Sequence, residues 1–317
     1  MKKISKTIPR AFKGKTLKTY TLDNGNIKAV FLSYGAILHE LWVKNRYGSF
    51  TNVIQGLKNL NEYISDSWSR GAIIGRYAGR LINPIKVNGK LYEIENEKGI
   101  MLHSGSEGWG KKNWALVNLI EKKKIEFKYE CPSGTTGFPG KVKANISYSL
   151  ENNKFNIDYS AITESPTHIN LTNHAYFNLN NKEPIGECYL KINADKYLEL
   201  DKNLVPTGKK LLVDKTSFDF RNLKRFGEIQ LDDYFVLNHT NGPVVEFFEP
   251  KNGINMGIFT NQPGLVVFTP PHFQAICFET QKFSNTPNID SFPSTLINPN
   301  EVYLHKTSFV FNIHRNI

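Results

Sequence analysis

Cysteine is scarce in this chain. Cys131, Cys188 and Cys277 are the whole supply across 317 residues. An odd number at wide spacing builds neither a disulfide framework nor a cysteine zinc site, and it points to a reducing compartment. Long apolar runs are missing too, and none reaches the ~20 residues of a membrane helix. The start, Met1-Lys2-Lys3-Ile4-Ser5-Lys6, is basic but lacks the apolar centre of a signal peptide. A soluble, cytoplasmic protein with no membrane partner is expected. Glycine is not arranged to cradle phosphate: Gly75 and Gly79 match neither a P-loop nor a dinucleotide fingerprint. Acid is in deficit, with 29 Asp+Glu against 40 Lys+Arg and a net charge of +11. The positive charges are scattered, however, and Lys122-Lys123-Lys124, the one run of three, sits beside Glu121 and Glu126. No block mixes basic and aromatic residues as a nucleic-acid face does, so no nucleic-acid partner is expected.

Helical signal is also thin. Leu57 to Ile64 admits a short helix, and no long window repeats at 3.6 residues. Alternation at period two is plain instead. Val142, Ala144, Ile146, Tyr148 and Leu150 alternate with polar neighbours, as do Phe155, Ile157, Tyr159 and Ala161, and Ile125, Phe127 and Tyr129. This pattern puts one face of each strand inward and the other in water. Asn24-Gly25, Asn88-Gly89, Ser133-Gly134, Asn241-Gly242-Pro243 and Asn252-Gly253 mark turns, and Lys86 to Leu91 reads as a tight hairpin. The expected fold is all-β, a large antiparallel β-sandwich, in one domain over residues 1–317. A hydrophobic content of 40% supplies the core.

Chemistry concentrates in five places. In Thr167 to Leu179, His174 lies among asparagines and aromatics inside a strand-like run. In Ile276-Cys277-Phe278-Glu279-Thr280-Gln281, Glu279 closes an apolar stretch, where lost hydration raises a carboxyl pKa and makes a better base near neutrality. An imidazole and a carboxylate are the minimum for adding one proton and removing another. His103 sits in a Gly/Ser-rich loop, Met101-Leu102-His103-Ser104-Gly105, of the kind that carries binding residues. Arg80 ends a segment with Gly75 and Gly79, where backbone can approach a ligand and a guanidinium fork can hold two oxygens. Asp232 and Asp233 set acid beside Tyr234 and Phe235, a combination suited to a sugar's hydroxyls and C–H face. Each has a plainer reading: a strand-end Glu in solvent, a hydrogen-bonded core histidine, a loop histidine, an arginine in a surface salt bridge, an Asp-rich turn.

Taken together, these segments resemble the aldose 1-epimerases. The likeness runs from Asn24-Gly25 to Lys306-Thr307-Ser308-Phe309. It includes Tyr34-Gly35-Ala36, the Gly75–Leu81 segment, Leu102-His103, the Asn170–Leu179 run, Phe278 to Gln281, Phe292 to Leu296, Pro299 and Tyr303. The resemblance implies the galactose mutarotase-like supersandwich, with Glu279 as general base and His174 as general acid. It implies Arg80, His103 and Asp232 as sugar-binding residues, with Asp232 favoured over Asp233 by its spacing to Phe235. The substrate would be a free aldohexose such as galactose or glucose, or a reducing disaccharide. No metal or organic cofactor would be needed, and the protein would be a monomer or homodimer. Four departures from the pattern fall where substrate choice is made. Gly79 stands for the usual Asn, His103-Ser104-Gly105 for His-Gly-Gly, Val266 for Gln, and Pro270-Pro271-His272 for a Gly-Asn element. Two other functions remain open: a hexose-6-phosphate epimerase of the same fold, and a carbohydrate-binding protein without catalysis.

Overall fold

A computed structural model describes residues 7–12, 15–180 and 183–314. Every ladder between its strands is antiparallel, and three sheets carry most of them. The largest has nine strands. In spatial order it begins Ala115–Ile120, Lys124–Cys131, Val142–Glu151, Lys154–Thr163 and Tyr303–Ile313, then continues through Ile254–Thr260 to Val245–Phe248, Tyr189–Ile192 and Lys224–Arg225. The alternating windows of the sequence are its centre: Ile125, Phe127, Ile146, Tyr148, Phe155 and Ile157 are buried, as the period of two requires. A second sheet of five strands runs Thr7–Phe12, Lys15–Asp23, Ile27–Leu32, Leu38–Lys44 and Phe50–Asn52. The third has six strands, in the order Tyr176–Phe177, Ile276–Gln281, Gly264–Phe268, Asp232–Val236, Lys196–Leu200 and Pro206–Leu212.

A row of aromatic rings joins the three sheets. Phe31 of the five-stranded sheet stacks on Tyr148 at 4.6 Å, and Tyr148 stacks on Phe155 at 5.9 Å. Phe309 meets both Phe155 and Phe177, the latter at 5.2 Å, and Phe177 meets Phe278 of the six-stranded sheet. Large rings bury much area with few rotatable bonds and pack edge-on or offset, so one continuous core forms between the sheets. The expected helix covers only its second half, the 3₁₀ turn Leu60–Ile64, started by the side chain of Asn59 accepting from the Asn61 backbone. The expected hairpin forms from Ile85–Val87 and Lys90–Tyr92, with Asn88 and Gly89 both at positive φ, as a two-residue turn of this twist demands.

The six-stranded sheet has two different faces, and this positions the site. All six residues of Ile276–Gln281 are buried, but alternate side chains face opposite ways. Ile276, Phe278 and Thr280 face the core, where Phe278 meets Phe177 and Phe247, and Thr280 bonds His305 and Thr307. Cys277, Glu279 and Gln281 face the other side. The register pairs Val266 with Glu279, Phe268 with Cys277 and Asp232 with Phe268, so Asp232, Tyr234, Val266 and Phe268 share that side. Gly264 lets Tyr234 pack flat there: a Cβ would stand 2.3 Å from the Tyr234 ring and 2.4 Å from the Phe235 carbonyl oxygen. Gly264→Ala is therefore expected to destabilise the fold by about 1–3 kcal/mol through overpacking. A urea titration that leaves the midpoint unmoved would refute this packing argument.

Candidate active site

A cleft of about 230 Å³ opens on that second face. Glu279, His174, His103, Arg80 and Asp232 all line it, with Trp68, Tyr176 and Phe268 as an aromatic wall. The five residues expected from sequence thus converge, although the chain separates Arg80 from Glu279 by almost two hundred positions.

His174 is placed by backbone on both sides. It falls between two short strands, Thr172–Asn173 and Tyr176–Phe177, and not within one strand as the sequence suggested. The first pairs with Ile73–Ile74 and the second with Ile276–Cys277, so the residue between must bridge two sheets. Its N–H donates to the Ala72 carbonyl at 2.9 Å and its own carbonyl accepts from Gly71. The neighbouring asparagines serve as brackets. Asn173 holds the Gly71 carbonyl, Asn178 holds those of Glu183 and Gln274, and Asn170 bonds both N–H and C=O of Lys282, just past Glu279. Glu279 is likewise an interior residue of its strand and not its end.

His174 Nε2 lies 3.4 Å from Glu279 Oε1, and both side chains are more than nine-tenths buried. Burial costs each its charged form. It pushes the Glu279 carboxyl up to about 8, with Asp232 adding to the rise and Arg80 opposing it. It holds the His174 imidazole down to about 4. The other imidazole nitrogen, Nδ1, is 3.5 Å from Cys277 Sγ. Burial, with the Glu279 charge, keeps that thiol well above the usual range and hence protonated. An S–H directed at Nδ1 leaves the ring's own proton on Nε2, the nitrogen that faces Glu279.

Arg80 and His103 arrive as neighbours through one small ladder. Arg80–Ile82 pairs with Ile100–Leu102, with Leu102 opposite Arg80, so the next residue, His103, stands beside Gly79. The two bond twice: His103 N–H to the Gly79 carbonyl at 3.1 Å, and Gly79 N–H to His103 Nδ1 at 3.2 Å. Because Nδ1 accepts, the neutral His103 carries its proton on Nε2. Burial first, then the charges of His174, Arg80 and Lys111, holds its pKa well below the usual range. Arg80 Nη2 meets Asp232 Oδ2 at 3.1 Å across the cleft. His103, His174 and Glu279 bring one donor atom each to within 4.8 Å of one another, a spacing that a divalent cation would also accept.

The chemistry on this face is a shared proton. With burial pushing the carboxyl up to about 8 and the imidazole down to about 4, the two groups, 3.4 Å apart, keep one dissociable proton between them across the intervening pH range. Such a pair can remove a proton from one substrate atom while adding one to another.

The family model described as aldose 1-epimerase matches residues 18–310. The chain belongs to the aldose 1-epimerase family. Among relatives of this aldose 1-epimerase homologue, the galactose mutarotase of Sus scrofa is 30% identical over 326 residues, covering 94% of this chain and 95% of that one. The aldose 1-epimerase of Streptococcus thermophilus is 34% identical over 286 residues, covering 85% and 82%. The crystal structure of a GalM/aldose epimerase homologue from C. elegans superposes with a TM-score of 0.89 at 26% identity, over 93% of this chain and 98% of that one. The galactose 1-epimerase of Lactobacillus acidophilus gives a TM-score of 0.86 at 25% identity over 98% of each. The likeness covers the fold over nearly the whole length of this epimerase-family protein. Sequence reading missed Trp68, Tyr176 and Phe268 as its wall. A lone aromatic in Asp66-Ser67-Trp68-Ser69 carries no local signal, and only the tertiary fold sets its ring 6.2 Å from that of Phe268.

Proposed function

We propose that this protein interconverts the α and β anomers of free aldohexoses such as galactose and glucose by acid–base opening and closure of the sugar ring. The observation that carries the reading is the buried His174–Glu279 pair, its two side chains 3.4 Å apart inside a sugar-sized cleft. Glu279 takes the proton of the C1 hydroxyl. The C1–O1 bond becomes a carbonyl, the bond from C1 to the ring oxygen breaks, and that oxygen takes a proton from His174. Rotation about C1–C2 and closure on the other face reverse the transfers, with the two residues exchanging roles, so no net proton is consumed. Both tautomers of the pair are therefore working states, and each proton transfer contributes about 10²–10⁴-fold. Arg80, His103 Nε2–H and Asp232 bind the sugar's oxygens, while Trp68 and Phe268 offer faces for its C–H surface.

The test is polarimetry on freshly dissolved α-D-galactose, α-D-glucose and maltose. A faster approach to the same end rotation supports the reading, and the order of rates ranks the sugars. No acceleration with any of them would turn the reading to a phosphorylated sugar or to binding without catalysis. The phosphorylated alternative is disfavoured by charge: among the described residues lining the cleft, Arg80 is the sole Lys or Arg, and Asp232 already pairs with it. We further assign the protein to one domain acting on a small molecule, in the cytoplasm, as a monomer or homodimer without nucleic-acid or membrane partners. Three free, buried cysteines suit a reducing compartment, and no helix among the described residues is long and apolar enough to cross a membrane.

The proton inventory predicts the pH profile. Below about 4 the pair carries two protons and Glu279 cannot accept one; above about 8 it carries none and His174 cannot donate. The profile of kcat/KM, corrected for uncatalysed mutarotation, should be a broad plateau between those limits. A narrow bell bounded near the ordinary carboxyl and imidazole values would overturn the assignment. Asp232 raises the Glu279 pKa by charge repulsion, so Asp232→Asn should move the alkaline limb to lower pH as well as raising KM. Dialysis against a chelator should leave the rate unchanged. Added Zn²⁺ should inhibit, because a cation held by His103, His174 and Glu279 would occupy the atoms that move protons. A rate that falls with the chelator and returns with metal would require a different mechanism.

A further inference from the structure

The cleft has a corner where a side chain is excluded and a hydroxyl takes its place. Gly79 and Ser284 both line the cleft. A Cβ built on Gly79 would stand 2.0 Å from Ser284 Oγ and 2.8 Å from Ser284 Cβ, so the two positions cannot both carry side chains in this arrangement. Gly79 is otherwise fixed: its N–H and C=O are both bonded to His103, and its φ of +82° is a conformation that favours glycine. Ser284 is positioned from beneath by Gln281, whose Nε2 donates to Ser284 Oγ at 3.1 Å. Gln281 is fully buried, two residues beyond Glu279 on the same face of its strand, and its carboxamide nitrogen lies 3.4 Å from the position of the Gly79 Cβ. With Gln281 donating to its oxygen, the Ser284 hydroxyl hydrogen meets no acceptor among the described residues. Gln281 Oε1 is buried without a hydrogen-bond partner as well. A nearly buried hydroxyl at the cleft surface, held from below and beside the His174–Glu279 pair, is placed to meet a hydroxyl from a ligand.

We propose that Ser284 is a specificity-determining residue that donates a hydrogen bond to one secondary hydroxyl of the aldose, with Gln281 holding it in place and Gly79 clearing its space. This inference rests on the reading of the site as one for free aldoses. It makes positions 79 and 284 steric alternatives: a side chain at 79 would supply a contact in the same corner only if residue 284 withdrew. A residue fixed this way selects a sugar by where one hydroxyl points, without touching the acid–base pair.

The experiment is a double-mutant cycle between protein and sugar. The parent protein and Ser284→Ala are compared in kcat/KM on the preferred hexose and on its 2-, 3- and 4-deoxy analogues. Ser284→Ala is expected to lose about 3- to 10-fold on the hexose, the scale of one neutral hydrogen bond, and to lose nothing on one analogue only. That analogue names the hydroxyl. An equal loss on every sugar, or no loss on any, overturns the proposal. A second pair of variants tests the steric alternation separately. Gly79→Asn alone should fall well below the parent, and Gly79→Asn/Ser284→Gly should recover activity with a changed analogue pattern; a double variant no better than the single refutes it. A parent that accelerates no free aldose would defeat the functional reading instead. The same cycle, run on sugar affinity through Trp68 fluorescence, would then still decide the Ser284 contact.

Discussion

Glu279→Gln is expected to lower kcat for hexose mutarotation by about 10³-fold while the sugar still binds, within the range assigned to a positioned acid–base group. The amide matches the carboxyl in shape. It keeps the place opposite Val266, stays beside His174 at the same gap, and leaves the aromatic wall untouched. What it removes is the acceptor for the C1 hydroxyl proton. The measurement is kcat by polarimetry beside a binding constant from quenching of Trp68, which lines the cleft. Undiminished turnover would remove Glu279 from the mechanism. The substitution carries a second signature. Burial raises the native carboxyl pKa to about 8, above the ordinary carboxyl value of the unfolded chain. The contribution to stability is thus present at low pH and is lost as pH rises through the native value, where an uncompensated charge has to be held inside. Glu279→Gln should unfold less readily than the parent at pH 9, and the two should converge near pH 4. A less active, more alkali-resistant variant is the mark of a buried base kept for chemistry.

The second large effect is expected from His174→Asn, which should cost about 10²–10³-fold in kcat. Asparagine keeps a donor near the ring oxygen but cannot transfer its proton. The histidine also stacks on Tyr176 at 5.0 Å and meets Cys277, so some loss of packing accompanies the substitution. Binding separates the two contributions. If only the proton transfer is lost, Kd stays within a few-fold of the parent and the plateau in pH disappears, because Glu279 no longer has a partner to share with. If Kd collapses together with kcat, His174 acts by shaping the cleft and another acid must serve. The near-perpendicular His103, 5.5 Å from His174 ring to ring, would be the first alternative, through its Nε2–H.

The two residues at the centre of the cleft, Glu279 and His174, were legible in the sequence, but their settings were not. Glu279 announces itself as a charge among Cys277, Phe278 and Thr280, and His174 as an imidazole among asparagines and aromatics. Sequence reading set Glu279 at a strand end and His174 inside a strand-like run. The structure has Glu279 in mid-strand, because its strand is covered on both faces and needs no solvent-facing residue, so the apolar run does not stop at the acid. His174 lies between two strands, because Thr172–Asn173 pairs with Ile73–Ile74 while Tyr176–Phe177 pairs with Ile276–Cys277, and one chain cannot serve both without a break. The asparagines around His174 are backbone brackets, satisfying carbonyls that irregular chain leaves open.

Alone, the sequence determined the all-β class, the hairpin at Asn88-Gly89, the alternation that fills the nine-stranded sheet, the family and the five residues that line the cleft. Each of these is a local pattern, set by side-chain period, by the φ that a turn requires, or by a short run of residue types. The tertiary structure alone decided that Glu279 and His174 meet at 3.4 Å in a buried pair, that Asp232 neutralises Arg80, that Trp68 and Phe268 form a wall, and that Ser284 fills the space above Gly79. Those facts depend on distances between residues far apart in the chain and on how much water their meeting excludes. Burial and pairing are properties of the folded assembly of strands, and no single strand carries them.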